Sequence, residues 1–84
     1  MYKVIVSKTA SKELADLPVQ AVNRIIPAIK KLSEDPRPPG CKKLKGEQNS
    51  CRIRIGDYRV IYTVEDIICI VDIRSVGHRK DIYE

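Results

Sequence analysis

The spacing of apolar residues changes near the middle of the chain and divides it into two halves. In the first half, apolar residues recur every three or four positions, as in helices with one buried side. In the second half they alternate with polar residues, as in strands with one buried face. A short β-branched segment, YKVIV at residues 2–6, precedes the helical half and predicts one more strand.

Two helices are predicted in the first half. Ser7 or Thr9 can cap the first helix, and apolar residues follow at helical spacing: Ala10, Leu14 and Leu17. The second helix is expected from Val19 to Ser33, with a single apolar stripe: Val22, Ile25, Ile26, Ile29 and Leu32. Because Pro27 removes one backbone hydrogen bond inside this segment, we expect a kink close to it.

Three strands are predicted in the second half, after the proline-rich segment DPRPPG and a polar, basic connection. They cover residues 51–55, 58–64 and 67–76, and Gly56 and Asp57 form the first tight turn. The third strand is almost continuously apolar, so we expect a central position in the sheet. Cys69 lies in this strand and is expected to be a small buried hydrophobic residue.

The predicted element order is β-α-α-β-β-β, which indicates an α+β fold. Helices that precede a β-meander are expected to pack together on one face of an antiparallel sheet. A chain of 84 residues is the size of one domain, so residues 1–84 are expected to form a single unit.

Composition and charge narrow the possible functions. The formal net charge of +5 favours an anionic partner, such as nucleic acid, an acidic protein or an anionic surface, although a merely basic protein is equally compatible. Three cysteines without a C-x-x-C pair argue against a disulfide framework and a zinc site. No signal peptide is evident, and no apolar stretch approaches the roughly 20 residues of a membrane-spanning helix. We therefore expect a cytoplasmic protein without a membrane partner.

Basic side chains are expected to gather at one face of the sheet. Alternation places Arg52 and Arg54 on the same face, and Arg59 lies on the neighbouring strand. Further candidates are expected to join them there: Arg79, His78, Tyr83, Lys42, Lys43 and Lys45. Guanidinium groups match pairs of phosphate oxygens and stabilise the negative charge that develops during phosphodiester cleavage.

A titratable group is needed beside such arginines if they serve in catalysis. His78 has a suitable intrinsic pKa, and Tyr83 can transfer a proton if neighbouring cations lower its pKa. Each residue also has a purely structural interpretation. Alternating arginines commonly solvate an exposed sheet face, a single histidine commonly lies at the surface, and a tyrosine can simply pack against the sheet.

The second half of the chain resembles the RelE branch of the RelE/ParE toxin superfamily. The similarity rests on a basic-x-basic strand, followed by GDYRVIY, SVGHR and a tyrosine near the end. The upstream KKLKG segment, the two helices and the leading strand also fit this family. The resemblance implies a compact fold like that of microbial RNases and the toxin of a type II toxin–antitoxin system.

The resemblance also implies an activity and a set of site residues. Toxins of the RelE branch cleave mRNA in the ribosomal A site by attack of the ribose 2′-hydroxyl, without a metal or other cofactor. Arg52 and Arg54 match RNA-contacting positions that are usually lysine in the family, and one of these has been proposed as a general base. Arg59 and Arg79 match arginines that hold the scissile phosphate. Tyr83 matches a tyrosine that stacks on the base or takes part in proton transfer.

One departure from the family pattern and two alternative functions remain open. The pKa of an arginine is too high for Arg54 to replace a lysine base easily, which directs attention to His78, Tyr83 or ion pairing alone. ParE-like members share this fold and inhibit DNA gyrase instead, and an inactive basic binding module is a third possibility. The family further implies a cognate antitoxin, expected to be acidic and partly disordered.

Overall fold

The computed structural model describes residues 1–46 and 48–78. These residues form two α-helices and five β-strands in the order β-α-α-β-β-β-β. The elements are β1 (Lys3–Val6), α1 (Lys8–Ala15), α2 (Val19–Lys31), β2 (Lys42–Lys43), β3 (Ser50–Ile55), β4 (Tyr58–Glu65) and β5 (Ile70–His78).

The five strands form one mixed sheet in the order β1-β5-β4-β3-β2. Neighbouring strands from β2 to β5 pair antiparallel, whereas β1 pairs parallel with β5. The predicted α+β fold class is therefore confirmed, with two differences in the sheet. The sheet is mixed because β1 runs parallel to β5, the last strand of the meander. The basic connection also contributes an edge strand of two residues, β2.

Local sequence signals account for both helices. The Ser7 side chain caps α1 and accepts a hydrogen bond from the backbone nitrogen of Ala10 at 3.1 Å. The second helix follows Pro18, continues through Pro27 and ends at Lys31, two residues earlier than expected. The kink at Pro27 stays a prediction. Neither helix found in the described part of the chain is long and apolar enough to cross a membrane.

The core lies between the helices and one face of the sheet. Its helix residues include Ala10, Ile25 and Ile29, and its strand residues include Val60 and Val76. Further fully buried side chains complete it: Leu32, Tyr62, Val64, Val71 and Ile73. The same sheet residues that bury themselves against the helices fix the register of β3, β4 and β5, because a one-residue slip would expose them.

Tyr62 is the largest of the fully buried side chains. Its hydroxyl donates a hydrogen bond to the carbonyl oxygen of Pro36 at 2.7 Å, which ties the proline-rich segment to the sheet. Burial raises the pKa of Tyr62, so the phenol remains the donor across the physiological pH range.

The third predicted strand begins later than expected, and the expectation for Cys69 was wrong. Glu65 pairs with Ile70, so residues 66–69 form the turn between β4 and β5. Cys69 lies exposed in this turn with a φ of 53°, and Ile67 is fully exposed. An apolar run does not reveal where the chain reverses, and here its first three residues belong to the turn.

Asp66 connects this turn to two other parts of the chain. Its carboxylate accepts two hydrogen bonds from the Arg37 guanidinium, at 3.1 and 2.9 Å, and one from the Tyr2 hydroxyl at 2.6 Å. The Arg37 bonds and then the Tyr2 bond lower the pKa of Asp66 from 3.8 to about 2. The three residues thus join the β4–β5 turn, the proline-rich segment and the start of the chain.

The pKa of Asp66 predicts a loss of stability in acid. A carboxyl group whose pKa is lower in the folded chain stabilises the fold fully above its unfolded value, here 3.8, and loses that effect as the pH falls through about 2. Urea unfolding midpoints measured from pH 4 down to pH 2 should therefore fall more steeply for the wild type than for Asp66→Asn. The exposed Asp16, changed to Asn, serves as the control and should keep the wild-type slope. Equal slopes for the wild type and Asp66→Asn would contradict this account.

Candidate nucleic-acid interface

The sheet has a face turned away from the helices, and basic residues lie across it in two adjacent rows. In the first row, Arg54 on β3 is directly opposite Arg59 on β4. In the second row, Arg52 on β3 lies opposite Lys42 on β2. Arg52 and Arg54 share this face because they alternate with the buried Ile53. We call these four residues, Lys42, Arg52, Arg54 and Arg59, the arginine face.

The arginine face concentrates positive charge in a partly buried setting. Directly opposite residues in an antiparallel pair have Cβ atoms about 4.5–5.5 Å apart, and like charges at such positions are destabilising. Arg52 is only 6% exposed. Burial, followed by repulsion from Arg59 and Arg54, lowers the pKa of Arg52.

The turn between β3 and β4 holds the two opposing arginines in register. Gly56 begins the turn with a φ of 60°, a backbone conformation that residues other than glycine rarely adopt. The Arg24 guanidinium from α2 packs against this glycine, 3.0 to 3.3 Å from the position that a Cβ atom would occupy. The predicted Gly56–Asp57 turn is confirmed, and it fixes the pairing of Arg54 with Arg59.

A contact from α1 shapes the end of β5, next to the arginine face. The pairing of β4 with β5 shifts by one residue after Ile61, which marks a β-bulge. Glu13 reaches across to this part of β5, where one carboxylate oxygen accepts hydrogen bonds from the Ser75 hydroxyl and the Val76 backbone nitrogen, both at 3.1 Å. Sequence patterns missed this role of Glu13, since 62 residues separate it from Ser75.

Of the three candidate lysines, the sheet brings only Lys42 into the arginine face. Lys43 is the next residue of β2 and pairs with Cys51, so it belongs to the opposite face. There it lines a cavity of about 270 Å³ together with Arg37, Cys41, Asn49 and Cys51. Lys45 is exposed in the turn that follows β2. The lysines were expected to act together, but strand alternation separates the two that lie in β2.

His78 does not join the arginines, which corrects the predicted convergence. It pairs directly with Tyr58, one position beyond the row of Arg59, and therefore lies on the face that contacts the helices. The rings of His78 and Tyr58 meet edge to face, with centroids 5.6 Å apart. Arg79 and Tyr83, the other two predicted members of the site, lie outside the described residues.

Within residues 1–46 and 48–78, no three histidine, cysteine, aspartate or glutamate side chains are close enough together to hold a metal ion. The guanidinium and ammonium groups of the arginine face carry positive charge and hydrogen-bond donors. They can orient a phosphate group and stabilise added negative charge on its oxygens.

Comparisons with known proteins agree on one family. Residues 4–83 match the model of the ParE toxin of type II toxin–antitoxin systems. Toxin RelE3 of Methanocaldococcus jannaschii is 36% identical over 86 residues, which cover 98% of this chain and 96% of that protein.

Solved structures show the same relationship. The chain from the archaeal RelE–RelB complex of Pyrococcus horikoshii OT3 superposes with a TM-score of 0.83 at 30% identity, covering 96% of this chain and 98% of that one. The isolated RelE toxin of E. coli gives a TM-score of 0.81 at 26% identity, covering 93% of this chain and 84% of that one. With this sequence match and this fold, the chain belongs to the RelE/ParE superfamily of type II toxin–antitoxin toxins, in its RelE-like branch.

Proposed function

We propose that this toxin is an mRNA interferase that cleaves mRNA in the ribosomal A site. The observation that carries the proposal is the arginine face, in which Arg54 and Arg59 lie directly opposite one another beside the buried Arg52. The core on the opposite face of the sheet does not require adjacent like charges at these positions. RNA is the anionic polymer that a translation-directed toxin would encounter, and guanidinium groups are the side chains that most often contact its phosphate groups.

The proposed reaction is attack of the ribose 2′-oxygen on the adjacent phosphorus. A bond forms between that oxygen and phosphorus, the bond to the 5′-oxygen of the next nucleotide breaks, and a 2′,3′-cyclic phosphate and a free 5′-hydroxyl result. Charge builds on the two non-bridging oxygens as the attack proceeds. Arg54 and Arg59 would stabilise this charge, and Arg52 and Lys42 would hold the neighbouring phosphate groups.

Proton transfer requires a group other than these arginines. An arginine remains protonated at neutral pH, so Arg54 is an electrostatic residue here and not a base. His78 lies on the other face of the sheet and is not proposed for this role. We assign the proton transfers to Tyr83, with Arg79 as a further phosphate contact, and Lys43 and Lys45 as outlying contacts to RNA or the ribosome. No cofactor enters this reaction.

A cognate antitoxin is the second proposed partner, besides the ribosome with its mRNA. The solved relatives include RelE chains in complex with RelB antitoxins, among them the one from Pyrococcus horikoshii OT3. A net charge of +5 suits an acidic antitoxin segment that folds on binding. Since ribosomes and mRNA are the targets, we place the action of the toxin in the cytoplasm.

One alternative has a specific observation in its favour. The family model that matches the chain is described by ParE, the toxin of the parDE system, which keeps inhibition of DNA gyrase as a candidate function. The arginine face favours RNA cleavage, because it provides the phosphate contacts that such a reaction needs. An inactive binding module of the same fold would bind its partner without either effect.

Cleavage is tested in a reconstituted translation extract with a defined mRNA, read by primer extension. Wild-type toxin should produce discrete cuts in phase with codons. Arg54→Gln should reduce the cleavage rate at least about ten-fold, because it removes one charge from the transition-state clamp, whereas Arg54→Lys should keep most of the activity. Lys31→Gln, an equal change of net charge on α2, is the matched control and should cleave like the wild type.

The same preparations distinguish the alternatives. Uncut mRNA together with blocked supercoiling by purified DNA gyrase would replace the RNA-cleaving proposal with the ParE-like one. Uncut mRNA with normal supercoiling and retained partner binding would indicate the inactive module. Cleavage at the wild-type rate by the Arg54→Gln variant would show that the arginine face does not take part in the reaction.

The salt dependence of RNA binding counts the phosphate contacts. Each contact with single-stranded nucleic acid contributes about −0.7 to the slope of log K against log salt concentration, so three or four contacts predict a slope of about −2 to −3. Arg54→Gln should make the slope shallower by about 0.7, and Lys31→Gln should leave it unchanged. Fluorescence anisotropy of a labelled single-stranded RNA gives both slopes. A wild-type slope close to zero would show that the basic residues do not contact phosphates.

The Arg54→Gln change should weaken RNA binding but stabilise the folded protein. Because Arg54 and Arg59 repel one another, Arg54→Gln is expected to increase the free energy of unfolding by about 0.2–1 kcal/mol at low ionic strength. The gain should shrink in about 1 M salt, where screening reduces the repulsion. Urea unfolding at the two salt concentrations measures the effect, with Lys31→Gln again as the control. A loss of stability in Arg54→Gln would mean that Arg54 serves the fold.

A further inference from the structure

Two of the three cysteines line one cavity at the edge of the sheet. Cys51 lies buried on β3, and Cys41 lies half-buried directly before β2. The register pairs Lys43 with Cys51, which places Cys41 diagonally across from Cys51 on the face that packs against the core. The cavity of about 270 Å³ that both thiols border leaves room for a small ligand.

The two thiols share one electrostatic environment. Burial, followed by the nearby Cys41, raises the pKa of Cys51. The Arg37 guanidinium and the Lys43 ammonium oppose this increase in the pKa of Cys51. Tyr62 pairs with Cys51 across β3 and β4, and after burial it is these same two thiols that raise its pKa most. Each thiol therefore lies within electrostatic reach of the other and of two cations, which favour the thiolate form.

The strand spacing disfavours a disulfide between these two cysteines. Residues that are diagonal to one another across an antiparallel pair lie about 7–8 Å apart, whereas a disulfide usually joins Cα atoms about 4.4–6.8 Å apart. A metal ion spans a wider gap. Two metal–sulfur bonds of about 2.3 Å in a line hold the sulfurs about 4.6 Å apart, compared with about 2.05 Å in a disulfide. The diagonal spacing therefore favours two thiolates that bind one metal ion.

The number of ligands identifies the class of metal. Structural zinc takes four ligands in a tetrahedron, and within residues 1–46 and 48–78 no third histidine, cysteine, aspartate or glutamate completes such a group. Soft thiolate ligands select Cu(I), which two sulfurs in a line can satisfy. A Cu(I) ion with two thiolates carries one net negative charge. Lys43 supplies the main countercharge in the cavity, because Arg37 already pairs with Asp66.

We propose that Cys41 and Cys51 form a two-coordinate site for Cu(I) in this cavity. Each thiol releases its proton when its sulfur binds the metal, so two protons leave and no electron is transferred. The site goes beyond the proposed RNA cleavage and does not depend on it. Lys43 and Cys51 lie on the inner face of the sheet, opposite the arginine face.

Competition for Cu(I) with a chromophoric chelator measures the site. The full chain is titrated without oxygen in the presence of bicinchoninate, whose Cu(I) complex absorbs visible light, and the wild type should bind one Cu(I) per chain. Cys41→Ser and Cys51→Ser should each weaken binding at least about 100-fold, because loss of even an outer partner of a metal ligand costs about 10–100-fold. Cys69→Ser removes an exposed thiol outside the cavity and should bind like the wild type.

Two further measurements separate the loss of a ligand from a loss of structure. Urea midpoints are measured for each metal-free protein, and Cys41→Ser should keep the wild-type midpoint because its side chain is only half-buried. Lys43→Gln should weaken Cu(I) binding less than the loss of a thiol does, since it removes countercharge and no ligand. X-ray absorption at the copper edge should show two sulfur neighbours.

Several results would overturn the proposal. Wild-type affinity in Cys41→Ser or Cys51→Ser would do so, as would an equal loss of affinity in Cys69→Ser. Three sulfur neighbours, or a copper ion that joins two chains in native mass spectrometry, would place the metal elsewhere. A disulfide between Cys41 and Cys51 that forms readily with oxidised glutathione would replace the metal site with a redox pair. The RNA cleavage and binding assays use other variants, so their outcome leaves this test unaffected.

Discussion

The antiparallel pairing of β3 with β4 brings together two guanidinium groups that repel one another. Arg54 and Arg59 face each other across these strands, and the buried Arg52 lies one row away. The pairing withstands this repulsion because the opposite sides of the same strands carry the core, where Ile53 and Val60 are buried against the helices. Burial of each large aliphatic side chain contributes about 1.5–3 kcal/mol, whereas an opposing pair of like charges costs about 0.2–1 kcal/mol. The core therefore sets the register, and the charges on the other face must follow it.

This division of labour between the two faces explains why several parts of the molecule converge on one row. Gly56 and Arg24 fix the turn after β3, and Glu13 fixes the bulged end of β5. Each of these contacts acts at one end of the row that runs from Arg54 to Gly77. A shift of the strand register by one residue would turn the arginines into the core and expose the aliphatic residues. The burial of the core therefore allows only the register that places the arginines on the outer face.

The sequence predicted the features that depend on local periodicity. The strict alternation of CRIRI was enough to place Arg52 and Arg54 on one face, and the short strands around Gly56 and Asp57 were enough to place Arg59 beside them. The α+β class followed from the change of apolar spacing. The periodicity of one segment does not show which of its residues pair with those of a distant segment. The wrong predictions of residue placement arise from this lack of information.

Three of these errors illustrate the point. His78 was expected beside the arginines, but its pairing with Tyr58 determines its face, and that register depends on a bulge four residues earlier in β5. Lys43 was grouped with Lys42 although consecutive strand residues point in opposite directions, because the two-residue strand β2 was not predicted. Cys69 was expected in the core because an apolar run does not show where it turns. The core constrains the residue types on the inner face of the sheet, so packing against the helices does not explain the arginines on the outer face.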